Sequence, residues 1–447
     1  MTKRKLCHKI NLMKTGVQLI VAITLILTSQ SCNKKDSGST TTPTPADYTT
    51  KYTSSAPVSI SRPLIISGLH AETIKLVKLN SKYQLITSYA DLFGTTYDFF
   101  RSFEIDSVSG KATENTINLL GEYKEVGFPK SPFFYTDLNG DGIRDLFEVD
   151  HGKETPSLMV NGQYPGFENH LFLGTADGRF IKTSVPDLTN VKRFHHNAAV
   201  GDLDNDGDND LVLQYFGNDE MYFFKNSNGL QRDRILNPGN STGAVLIQDV
   251  DGDGIKDIIS APYIDRGANP STRILKLNLT SNSFTTTPLS SLNPFGAGYG
   301  CFKLLSIPNP NAQAKNNIIF FAEGGIGDQK VFRTTDQSLS TLEDIYTKQS
   351  TFKSNNIRDF EIVDLNMDGY SDIFFMTNPG TDNLNQRVWI NKGDNTFENP
   401  NWEIDVSLKD YFSILSIDKA AGRTKFLYFS NTPSPETKMI SIYTKKR

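Results

Sequence analysis

Four nine-residue runs place carboxylates at one repeated spacing. They are Asp137, Asn139, Asp141 and Asp145; Asp202, Asp204, Asp206 and Asp210; Asp249, Asp251, Asp253 and Asp257; and Asp364, Asn366, Asp368 and Asp372. Acid or amide stands at positions 1, 3, 5 and 9, with Gly at position 6 (Gly142, Gly207, Gly254, Gly369). Side chains at 1, 3 and 5 of such a loop converge, the Gly permits a sharp turn, and the Asp at 9 returns to the same centre. Adding the position 7 carbonyl (Ile143, Asp208, Ile255, Tyr370), each run offers roughly the 6–8 hard oxygens that calcium prefers, whereas magnesium needs a tighter octahedron. The runs carry three, four, four and three of these carboxylates. Two such charges about 4 Å apart repel by roughly 4 kcal/mol at an effective dielectric of 20. The expected chemistry is therefore cation binding, with about four calcium ions.

The elements that must hold these loops are strands. Pro132–Tyr135, Ala198–Val200, Ala244–Ile247 and Phe360–Val363 precede them, and Leu146–Val149, Leu211–Leu213, Ile258–Ile259 and Ile373–Phe375 follow. These are short β-branched and aromatic runs bounded by Gly and Asn. A second hairpin recurs further on, clearest at His170–Phe180 and Arg387–Phe397. Two hairpins make four strands, the content of one propeller blade. The loops start 65, 47 and 115 residues apart, and the last gap is nearly twice the others, so a unit without acids belongs near Ser306. Ile74–Ile86 and Ile414–Tyr428 extend the series at either end, giving seven units. The prediction is an all-β, seven-bladed β-propeller with four calcium-loop blades and three degenerate ones. Ile440–Tyr443 and Val58–Ile60 are both candidates for the strand that closes the ring. An EF-hand would need Glu at position 12 and flanking helices. Only Glu148 meets the first condition, and no run meets the second.

These loops and their strands resemble FG-GAP/VCBS repeats, the calcium-loop blades of integrin-α-like propellers and many bacterial surface proteins. Asp257-Ile258-Ile259-Ser260-Ala261-Pro262 is similar to the repeat's closing "GAP", and Phe295-Gly296 falls where an "FG" would open the acid-free unit. The resemblance covers roughly residues 70–430. It implies calcium on one rim and ligand contacts in surface loops, but no single activity.

Residues 1–31 read as an export signal: five Lys/Arg without an acid lead into the apolar run Val17–Leu27, too short for a bilayer span of about 20 residues. The small residues before Cys32 resemble a lipobox, whose cysteine is acylated; cleavage by the ordinary signal peptidase is the alternative. Residues 32–56 are rich in Ser, Thr and Pro and read as a disordered tether, with the propeller at 57–447. Beyond the leader, 41 basic groups face 50 acidic ones, a net of −9, which argues against a nucleic-acid partner. Cys301 reads as a small core residue, so no internal disulfide is expected.

Gly239-Asn240-Ser241-Thr242-Gly243 matches a nucleophile elbow in letters, but a strand rather than a helix follows. His195-His196 stands before the best acidic loop. Neighbouring strand residues face opposite sides, so one packed and one exposed histidine is expected, with a ligand contact as the functional alternative. The combined expectation is a monomeric binding or adhesion module for a glycan or protein, held by a lipid anchor at the outer membrane or cell surface. An extracellular carbohydrate-active enzyme, lyase-like and using the channel mouth, is the alternative.

Overall fold

In the computed structural model the described residues are 48–54, 58–59, 70–90, 99–121, 129–150, 152, 157, 159–160, 164–215, 220–238, 242–263, 272–288, 299–309, 316–324, 328–334, 341–345, 357–377, 384–400, 411–429 and 436–446. The leader, Cys32 and Phe295-Gly296 lie outside them, as does most of the elbow-like turn.

Seven antiparallel sheets follow one another along the chain, six with four strands. Blade 1 comprises His70–Leu79, Lys82–Ala90, Phe99–Ile105 and Ala112–Glu114; blade 2 comprises Pro129–Thr136, Asp145–Asp150, His170–Gly174 and Phe180–Thr183. Blade 3 is His195–Gly201, Asp210–Tyr215, Met221–Asn226 and Leu230–Leu236, and blade 4 is Thr242–Gln248, Asp257–Pro262, Arg273–Asn278 and Ser283–Pro288. Blade 5 is Tyr299–Ile307, Asn317–Gly324, Asp328–Thr334 and Leu342–Asp344; blade 6 is Ile357–Val363, Asp372–Thr377, Val388–Asn391 and Phe397–Glu398. Blade 7 uses Tyr411–Asp418, Arg423–Phe429 and Glu436–Lys446. The units without acids form the expected strands.

The second strands read as continuous apolar runs because both faces are covered. Leu211 and Leu213 pack toward blade 2, with Phe147 and Leu171. Val212 between them packs toward blade 4, with Val245 and Ile258. The same division repeats around the ring, so that seven apolar clusters fill the seven interfaces between consecutive blades. One of them joins blade 7 to blade 1 through Leu427 and Phe103. Period-two alternation thus builds two half-cores per blade instead of one core and one wet face.

The ring closes on the N-terminal side of the chain. Tyr48–Ser54 pairs antiparallel with Glu436–Lys446, Tyr48 opposite Lys446 and Ser54 opposite Ile440, as the outer strand of blade 7. Val58–Ser59 pairs with the start of the same C-terminal strand. Ile440–Tyr443, one closing candidate, is therefore the middle of the third strand. The strand Tyr48–Ser54 lies inside the stretch expected to be tether. The cause is legible in Tyr48-Thr49-Thr50-Lys51-Tyr52-Thr53, whose aromatic and β-branched residues suit a strand although Ser/Thr composition reads as linker.

Every innermost strand slips register against its neighbour, at Ala71/Thr73, Pro129/Phe133, His195/Asn197, Thr242/Ala244, Cys301/Lys303, Ile357/Asp359 and Ile414/Ser416. A bulge adds a residue to one strand, bends it and re-aims the side chain there. Gly243 occupies the slip in blade 4, where a Cβ would stand 2.2 Å from the Cys301 carbonyl oxygen. Near the axis Asn197 Nδ2 donates to the carbonyls of Gly243 and Phe302, both at 3.1 Å, joining the inner strands of three blades. A short α-helix, Thr116–Leu120, follows blade 1. Among the described residues no helix is long and apolar enough to cross a membrane.

Candidate metal loops and the opposite rim

Each acidic run joins the first strand of a blade to the second, so all four lie on one rim, in blades 2, 3, 4 and 6. They share a hydrogen-bonding scheme. The position 1 carboxylate accepts the N–H of the Gly at position 6: Asp137 from Gly142 at 2.7 Å, Asp202 from Gly207 at 3.2 Å, Asp249 from Gly254 at 3.0 Å and Asp364 from Gly369 at 3.2 Å. Position 5 accepts the N–H of position 7, as Asp141 does from Ile143 at 2.7 Å, Asp206 from Asp208 at 3.1 Å, Asp253 from Ile255 at 2.8 Å and Asp368 from Tyr370 at 2.9 Å. All four glycines at position 6 have φ between 82° and 98°, a region without strain only for Gly.

Position 9 is buried in every loop. Its Oδ2 accepts the N–H of position 2: Leu138 at 2.7 Å, Leu203 at 2.9 Å, Val250 at 3.1 Å and Leu365 at 2.7 Å. In three loops its Oδ1 accepts an N–H from the third strand: Gly174 at 2.9 Å, Asn226 at 2.9 Å and Asn391 at 2.8 Å. The residue read as a returning ligand is thus also a pin between loop and blade. Burial raises these carboxyls, and neighbouring acids of the same loop add to the effect. Asp145, Asp210 and Asp257 are each pushed up to about 6, and Asp372 to about 8.

Two loops bring three acids close enough to share an ion. Oxygens of Asp202, Asp204 and Asp210 lie within 4.8 Å of one another, as do those of Asp249, Asp251 and Asp257. Calcium–oxygen distances of 2.3–2.6 Å place any two ligands of one ion no more than about 5 Å apart, so both triads could hold the cation. In the other two loops an amide replaces the position 3 acid. Asn139 Nδ2 donates to Asp141 at 3.0 Å and Asn366 Nδ2 to Asp368 at 2.9 Å.

The sequence reading missed the cations beside these acids. Lys225 pairs with Asp204 and lies 3.7 Å from Asp206. Lys276 pairs with Asp251, and Lys419 from the next blade reaches Asp364 at 2.8 Å. Each stands far from its acid in sequence: register within the blade brings Lys225 and Lys276 to theirs, and the neighbouring blade's turn brings Lys419 to Asp364.

On the opposite rim His195 is 1% exposed. Its ring contacts Tyr215, and its Nδ1 lies 3.3 Å from Asn169 Nδ2. Burial, helped by Arg193, pushes its pKa down to about 3, so it stays neutral and out of reach of a ligand. His196 sits at the register slip, half-buried between the rings of Phe194 and Tyr263 at 4.8 and 5.9 Å. Tyr164 stacks beyond Phe194 at 5.4 Å. A third histidine, His170, is buried against Asp150 at 3.0 Å. Cys301 is buried in the cluster between blades 4 and 5.

The family described as FG-GAP-like repeat matches residues 137–213 and 202–260, which take in the first three loops. The chain carries FG-GAP-like repeats in a seven-bladed β-propeller. No curated protein matches it in sequence. Among solved structures, a protein of unknown function from Dyadobacter fermentans DSM 18053 is similar at 11% identity, with a TM-score of 0.42, over 88% of this chain and 99% of that one.

Proposed function

We propose that this protein is an exported propeller, lipid-anchored through Cys32 at the cell envelope, that binds a glycan and is stabilised by calcium in its four acidic loops. The observation carrying the binding role is the cluster of half-buried Tyr164, His196 and Tyr263 around the buried Phe194 on the rim away from the acids. Aromatic rings combine an apolar face with a polar edge, the pairing that a sugar ring presents in return. The calcium role rests on the two aspartate triads. The cation would fix each loop to its blade rather than act on a substrate, since the position 9 acid, a ligand in each loop, also ties three of the loops to their third strands.

Glycan-array binding by the purified chain, compared with His196→Ala and Tyr263→Ala, tests the reading. Binding lost in both variants while melting is unchanged supports it. Wild-type binding to no glycan, with capture of a protein partner instead, would replace the glycan with a protein. Breakdown of a polysaccharide would favour the enzyme.

A further inference from the structure

Position 3 and one third-strand residue vary together within this chain. Leu146 lies opposite Phe172, Leu211 opposite Phe224, Ile258 opposite Leu275 and Ile373 opposite Trp389. The next residue along the third strand is therefore the same structural position in all four blades. It is Leu173 and Ile390 where position 3 is Asn139 and Asn366, and Lys225 and Lys276 where position 3 is Asp204 and Asp251. The lysines pair with those same two acids. Counting positions 1, 3, 5 and 9 alone, four carboxylates with the third-strand ammonium carry the same net charge as three without it; Asp208 at position 7 adds a fifth acid to the blade 3 loop. Lys419 does not follow this pattern: it comes from blade 7, meets position 1, and is 67% exposed.

We infer that Lys225 and Lys276 are built-in counter-ions that hold position 3 of their loops while no divalent cation is present and that an entering cation must displace. This rests on the calcium reading above. Both side chains are more than a third exposed (38% and 35%), so each can swing its ammonium into water on a flexible stem. A contact made only in the metal-free state stabilises that state and weakens cation binding by the same factor. The loops then fall into two classes: position 3 is gated by a third-strand lysine in blades 3 and 4 and is not in blades 2 and 6, where the blade 6 loop meets Lys419 at position 1 instead.

The test is calcium titration calorimetry on the full chain and on Lys225→Met, Lys276→Met and the double variant, beside melting in EDTA. The expected result is opposite signs: about tenfold tighter binding at each released loop, equivalent to about 1.4 kcal/mol, with a lower melting temperature in EDTA. The paired change Asp204→Asn with Lys225→Leu rebuilds the blade 2 arrangement, and should fold without calcium and bind as an ungated loop. A lysine serving only in packing would lower stability without tightening binding, and that result overturns the inference while leaving the calcium reading intact. A wild-type chain that binds no calcium at all overturns both.

Discussion

Asp210 is fully buried, and both of its carboxylate oxygens already accept backbone N–H groups, from Leu203 and Asn226 at 2.9 Å each. Replacing it with Ala leaves two buried donors unpaired, at about 1–3 kcal/mol each. Asp210→Ala should therefore lose about 2–6 kcal/mol in urea unfolding even in EDTA; an effect that vanishes once calcium is chelated would make the residue a ligand and nothing more. The raised carboxyls give the loops a pH dependence. In the folded chain Asp145, Asp210 and Asp257 hold their protons to about 6 and Asp372 to about 8, against about 3.9 when unfolded. Folding therefore favours the protonated forms, and their contribution is complete below about pH 3.9 and lost as pH rises through 6 and 8. In EDTA the melting temperature should fall between pH 4 and 8 on their account, and saturating calcium should flatten that decline. An equal decline with and without calcium would contradict the assignment.

At the scale of elements, the strands flanking the acidic loops were legible because each is short, apolar and bounded by turn residues. The units without acids were legible only as spacing, and strand pairs do form at His70–Leu79 with Lys82–Ala90, Tyr299–Ile307 with Asn317–Gly324, and Tyr411–Asp418 with Arg423–Phe429. What the sequence hid was pairing between distant segments. Tyr48–Ser54 looks like linker until Glu436–Lys446 is laid beside it, and Lys225 looks like any surface lysine until it meets Asp204. The bulges were hidden too, since nothing in His195-His196-Asn197 announces a register slip; the slip places His196 between two aromatic rings. A chain shortened to begin after Ser54 loses the outer strand of blade 7. At about 0.5–1.5 kcal/mol net per hydrogen bond, the loss should sum to several kcal/mol. It also bares a strand edge that invites aggregation. A lower melting temperature in both calcium and EDTA is the expected outcome, and an unchanged one would show that the ring closes without this strand.

For the whole molecule, stability is divided among seven interfaces, each with its own apolar cluster, and among loops that concentrate negative charge on one rim. The two parts are expected to answer to different variables: the clusters to temperature and denaturant, the loops to pH and, on the proposed calcium reading, to cations. On the proposed reading, calcium would add rigidity at the loops to a ring packed through its apolar interfaces, and the rim with His196 would be the one that meets a ligand. The most direct test is the melting temperature of the purified chain in excess calcium, excess magnesium and EDTA, for the wild type and for Asp204→Ala with Asp251→Ala. Binding to the folded state alone adds about 2.7 kcal/mol per site at one hundred times the dissociation constant. The expected result is a large calcium-specific rise that shrinks in the double variant as two of the four loops drop out. Identical melting in calcium and EDTA would contradict the metal assignment and leave the acidic loops as turns held by their own hydrogen bonds.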